Sequence, residues 1–172
     1  MLYHISLKCW ERIEIFSPRI PRGCLNGVEE NDTIPRICLS DSLDNCLTAV
    51  SWGGLNLIKD PPYKGNNFLA VARLYEFDKE NIKKENLLMP YQIAEYVPDS
   101  LISNEYWVIN QNIFPEKSSI IVLRDFFFDV ETMEYKGKKY EVYKIRQAQY
   151  DTLTDEEEKL LIAGFNNEKL IL

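Results

Sequence analysis

Six runs of β-forming residues cross this chain, and few of them are separated by a long helix. They are LYHIS (2–6), RICLS (36–40), FLAVARLYEFD (68–78), EYWVINQNIF (105–114), SIIVLRDFFFDV (119–130) and KKYEVYKIR (138–146). Parallel neighbours need a crossover of a dozen or more residues, usually a helix. Only two segments carry a helical period. In DSLDNCLTAVSWGG (41–54), Leu43, Cys46, Leu47 and Val50 share one face, with Ser40 or Asp41 as N-cap and Gly53-Gly54 as the stop. LTDEEEKLLIAGF (153–165) opens on a Thr154/Glu157 capping box, fills its first turn with acids and ends at Gly164. The pattern predicts an α+β fold: a mainly antiparallel, split β-sheet core with short flanking helices.

The connections are polar and turn-rich. Residues 23–36 and 60–67 read as loops, and 79–104, with Pro90 and Pro98, as a loop with short elements. No repeat, low-complexity tract or linker divides the chain. One domain over 1–172 is expected, with a core over 1–125 and a C-terminal extension over 126–172, where a hairpin turns through KGK before the last helix.

Composition narrows the function classes. The formal net charge is -7, and the most basic-looking run, KENIKKEN (79–86), alternates lysine with acid, so no basic stripe argues for general nucleic-acid binding. No run approaches the roughly 20 apolar residues of a membrane span. The N-terminal stretch lacks a basic head and an apolar centre, so a cytoplasmic protein is expected. Cys9, Cys24, Cys38 and Cys46 show no paired spacing, and reduced thiols are expected. With a single histidine there is no Cys/His zinc pattern, and no metal is expected.

Three strand edges carry polar atoms beside aromatic or apolar residues: His4-Ile5-Ser6, Ser40-Asp41-Ser42 and Glu105-Tyr106-Trp107. Each has a plain reading as a strand histidine, a helix cap and a solvent-facing carboxylate. No phosphate-binding glycine loop or nucleophile elbow is present.

Taken in order, LYHIS, RICLSDSLDNCLTAV, VARLYEF and DSLISNEYWVI resemble the ADP-ribosyltransferase fold over roughly residues 1 to 125. The resemblance implies NAD in a cleft between two small antiparallel sheets. His4 matches the first-strand histidine, Ser40 and Ser42 the second-strand Ser-x-Ser, and Glu105 the later glutamate. It implies catalysis by Glu105 with His4. Glu105 would stabilise the oxocarbenium-like charge that develops as the nicotinamide–ribose bond breaks. His4 would orient the adenosine-side ribose. Ser6, Ser40 and Ser42 would line the cofactor cleft, and Arg19 or Arg36 would meet the pyrophosphate. Tyr63, Tyr75 or Trp52 would stack on nicotinamide.

The pattern departs from the family in two ways. Arginine-modifying members carry Glu or Gln two residues before the catalytic Glu, where this chain has Ser103. The Ser-x-Ser motif belongs to one branch and the histidine to another. The implied activity is transfer of ADP-ribose from NAD to a macromolecule, a protein or a nucleic acid, as in toxins and phage or bacterial conflict effectors. NAD glycohydrolysis is the related outcome. The alternatives are a catalytically silent module on the same fold that inhibits a partner protein, and a nucleotide sensor using the same cleft.

Overall fold

The computed structural model describes residues 1–21, 31, 33–50 and 71–168. The elements are β1 (Leu2–Ser6), β2 (Ile37–Ser40), α1 (Leu43–Ala49), β3 (Val71–Phe77), β4 (Leu87–Leu88), α2 (Pro90–Ile93), β5 (Glu105–Val108), β6 (Lys117–Tyr135), β7 (Lys138–Thr152) and α3 (Asp155–Glu168). Short 3₁₀ turns at Lys79–Asn81, Lys84–Asn86 and Pro98–Leu101 break up the 79–104 region, as its prolines predict. Residues 51–70, with the expected Gly53-Gly54 stop, the 60–67 loop, Trp52 and Tyr63, lie outside the described residues.

The strands form one seven-stranded sheet in the order β4-β5-β2-β1-β3-β6-β7, and every pairing is antiparallel. The expected division into two sheets takes a subtler form. β1 shares five register pairs with β3 but only one with β2, Tyr3↔Ser40. The sheet is continuous, and it opens between β1 and β2.

Strand alternation sorts the core onto two faces. One face presents Ile5, Ala72, Leu74, Ile121 and Leu123 to Leu43, Cys46 and Leu47 of α1. Each such fully buried aliphatic side chain contributes about 1.5–3 kcal/mol. The other face gathers Leu2, Ile37, Leu39, Tyr75, Phe77, Tyr106 and Val108 beneath Phe16 and Ile113.

Several element ends differ from expectation. The N-cap of α1 is Ser42, whose Oγ accepts from the Asn45 N–H at 3.2 Å; Ser40 is the last residue of β2 and Asp41 lies between them. β5 stops at Val108, because Asn110 takes a positive φ of 54° that turns the chain. Ile113 returns only as an isolated bridge to Phe16. The Thr154/Glu157 capping box forms, but α3 runs on through Gly164 to Glu168. Gly164 is a helical position at which an added Cβ would meet nothing within 4 Å. β6 and β7 are both longer than their apolar cores, because cross-strand pairs of opposite charge extend the ladder.

Candidate functional site

The site grows from the opening between β1 and β2. Continuing the Tyr3↔Ser40 register would set Ile5 opposite Cys38. Instead, the Cys38 carbonyl oxygen lies 3.0 Å from His4 Nδ1 and accepts its N–H. That bond fixes the tautomer and leaves Nε2 as an acceptor. The half-buried imidazole meets the Phe16 ring edge-on at 5.1 Å, with Tyr75 at 6.2 Å. Burial, with a smaller push from the Arg19 charge, lowers the His4 pKa against the raising effect of the Cys38 bond, so the ring is held neutral.

A cleft of about 980 Å³ opens at this point. Its floor is His4, Ile37 and Cys38, and its far wall is the segment from Ile13 to Pro21. Three contacts hold that segment in place. Phe16 exchanges main-chain bonds with Ile113 at 2.9 and 3.0 Å, and Arg19 does so with Arg36 at 3.1 and 3.0 Å. The Tyr75 hydroxyl accepts from the Ile13 N–H at 3.0 Å and donates to the Glu11 carbonyl at 3.1 Å. Arg19 is exposed at the cleft.

Glu105 stands on the other side of β2. Tyr3, Ser40 and Glu105 form one row across β1, β2 and β5, so their side chains share a face, and His4 leaves from the opposite one. The Glu105 carboxylate is buried and accepts from Trp107 Nε1 at 2.6 Å and from the Cys38 thiol. Burial raises its pKa, and those two bonds pull it partly back. Burial together with the Glu105 charge also lifts the Cys38 thiol well above its ordinary value. The buried Arg36 guanidinium lies 4.0 Å over the Trp107 ring and donates to the carbonyls of Asn31 and Ile34.

The expected residues therefore divide. His4, Arg19 and Arg36 border the cleft, and Ser40 and Glu105 face each other across β2 and β5. The side chains of His4 and Glu105 do not meet; Cys38 touches both, one through its carbonyl and the other through its thiol. Tyr75 is fully buried with its hydroxyl used twice, so it backs the His4 ring and cannot stack on nicotinamide. Ser6 sits on the His4 face of β1, opposite Arg73. Ser40 is buried and hydrogen-bonds the Cys46 thiol, whose pKa burial pushes up to about 12. Ser103 is buried with its hydroxyl on the Asp99 carbonyl, so it faces inward.

Sequence reasoning missed the Trp107–Glu105–Cys38 cluster, although Glu-x-Trp and its β2 neighbour share one face by period-two alternation. Asp41, expected only as a possible cap, has a carboxylate that accepts from Asn45 at 2.6 Å and from Asn104, joining the start of α1 to the start of β5. Among the described residues, no three His, Cys, Asp or Glu gather as a metal site, and no helix is long and apolar enough to cross a membrane. No protein-family model matches the chain, and no curated protein or solved structure matches it.

Proposed function

We propose that the chain is an NAD-binding protein of the ADP-ribosyltransferase type that cleaves the nicotinamide–ribose bond and passes ADP-ribose to a macromolecular acceptor. One observation carries this reading. Tyr3-His4, Ser40 and Glu105, far apart in sequence, come to one level of three adjacent strands, beside the opening in the sheet. Two strand spacings cover only about 10 Å, but Glu105 leaves from the face opposite His4 and does not line the cleft, so the reading needs a bound ligand to pass from one face of β2 to the other.

In this reading the neutral His4 accepts a ribose hydroxyl proton at Nε2, and Arg19 meets the pyrophosphate. The C–N bond breaks with its electron pair leaving on nicotinamide, the Glu105 carboxylate stabilises the ribosyl cation, and an acceptor nucleophile bonds to that carbon and gives its proton to solvent. The inward-facing Ser103 gives an arginine acceptor no orienting group, so other nucleophiles are favoured. Calorimetric NAD titration tests the binding step: saturable binding by the wild type that weakens at least tenfold in Arg19→Gln supports it, and no binding contradicts it.

A second reading, a silent module that binds a partner protein, is favoured by the burial of Glu105 and by the two bonds that already occupy its carboxylate. It predicts no nicotinamide release from the wild type.

A further inference from the structure

A buried cation sits beside the cleft, on the face that carries His4. The Ser6↔Arg73 rung of β1 and β3 lies two residues, about 7 Å, from the His4↔Tyr75 rung, and alternation puts all four residues on one face. The Arg73 side chain is 1% exposed. Groups of the sheet and its N-terminal segment fix the guanidinium: Nε donates to the Cys9 carbonyl at 2.8 Å, and one Nη donates to Ser118 Oγ at 3.1 Å. The anion arrives on a different element. The other Nη meets the Glu158 carboxylate at 2.5 Å, and Glu158 belongs to α3.

The two partners are held very differently. Around Arg73, Cys9 and Ile120 are fully buried and Val71 nearly so. On α3, Glu158, Leu161 and Ile162 are half-buried, and the other described side chains from Asp155 to Gly164 are exposed. Positions 158, 161 and 162 make one helical stripe, and Leu161 and Ile162 lie on the Cys9, Val71 and Ile120 cluster. A leucine at 158 would continue that apolar seat. A buried ion pair adds little stability over an apolar pair of similar volume, and its best-attested use is in registry or switching. Stability therefore does not account for a carboxylate at this point of the stripe.

The donors around Arg73 also exceed what Glu158 uses. The carboxylate takes one Nη, while the Ser118 hydroxyl lies against the other and Ser6, half-buried, stands opposite Arg73 on the same face. A planar guanidinium fork with hydroxyls beside it matches the three oxygens of a phosphoryl group more fully than one carboxylate oxygen. We propose that Arg73, Ser6 and Ser118 form a phosphoryl-binding subsite, that Glu158 fills it as an internal stand-in, and that the phosphoryl group of a ligand takes its place by lifting α3 from the sheet. The subsite does not depend on whether the neighbouring cleft takes NAD.

Calorimetry and hydrogen exchange on the full chain at fixed ionic strength test this, with inorganic phosphate and phenyl phosphate as probes and acetate as the carboxylate control. The wild type binds phosphate saturably, and amide exchange in α3 speeds up about tenfold at saturation while β1 and β3 stay protected. Glu158→Gln vacates the subsite and keeps its donors, so it binds the same probe about tenfold more tightly. The double variant Arg73→Met, Glu158→Leu keeps the packing and loses the binding. The wild type and the double variant decide the matter by themselves if Glu158→Gln does not fold. Tighter binding of phenyl phosphate assigns the subsite to a phosphomonoester, and tighter binding of inorganic phosphate assigns it to the free ion. No phosphate binding by the wild type, unchanged exchange in α3, equal affinity in wild type and Glu158→Gln, or binding that persists in the double variant (an adventitious ion only) overturns the proposal. So does acetate binding as tightly as phosphate, which would leave no preference for a phosphoryl group.

Discussion

His4 Nδ1 donates to the carbonyl oxygen of Cys38 at 3.0 Å, at the point where the main-chain ladder between β1 and β2 gives out. A side chain thus takes the place of a strand bond, and the cleft begins there. Burial is the main cause of the lowered His4 pKa. The unfolded chain therefore takes up a proton near pH 6.5 that the folded chain refuses. Stability from this group is complete above that pH and declines as pH falls toward the folded value. Urea unfolding across pH 5 to 8 will show the decline in the wild type and a shallower one in His4→Asn. Equal slopes would mean that the ring titrates normally.

Glu105 shifts the other way. Burial lifts its folded pKa above the ordinary 4.5, so the folded state keeps this proton longer than the unfolded chain does. Its contribution is full at low pH and falls as pH rises through the interval between the two values. Glu105→Gln removes that cost and should match or exceed the wild type in thermal stability at neutral pH. Trp107→Phe deletes the indole donor and should cost about 2 kcal/mol, because a buried carboxylate loses one of its two donors and keeps only the Cys38 thiol. A clear loss of melting temperature in Glu105→Gln would contradict this ordering.

The strands and α1 could be read from the sequence because each carries its own period: Ile5, Ala72, Leu74 and Ile121 alternate, and Leu43, Cys46 and Leu47 follow a helix. The grouping of Ser40 with Glu105 could not, since register is a tertiary choice and a one-residue slip would have put His4 on the same face. The opening beside His4 was equally hidden, because it depends on where a ladder stops.

Asp44 ties α1 to β7 where the strand is irregular. Gln147 has a positive φ of 52°, and its N–H and that of Ala148 both reach the Asp44 carboxylate at 2.9 Å. Asp44→Ala leaves both donors without this acceptor and should lower the unfolding free energy by about 2 kcal/mol. Asp44→Asn should recover part of it, as chemical denaturation can measure. Equal losses in the two variants would mean that the carboxylate acts through charge alone.

Arg73 anchors α3. Its guanidinium is 1% exposed, bonds the Cys9 carbonyl at 2.8 Å and Ser118 Oγ at 3.1 Å, and meets Glu158 at 2.5 Å. Glu158→Ala leaves a buried cation underpaired and should cost about 3 kcal/mol. The double variant Arg73→Met, Glu158→Leu should recover most of that. Hydrogen exchange across α3 checks the account, since loosening should centre on this helix and spare β1 and β2.

The most direct test of the proposed chemistry is nicotinamide release from NAD by the wild type and by Glu105→Gln, with folding of both confirmed by circular dichroism. Release by the wild type that drops at least a hundredfold in the variant is the predicted result. Release at the same rate from both proteins would contradict the role given to Glu105. No release from the wild type, with candidate protein and nucleic-acid acceptors supplied, would contradict the enzymatic reading itself.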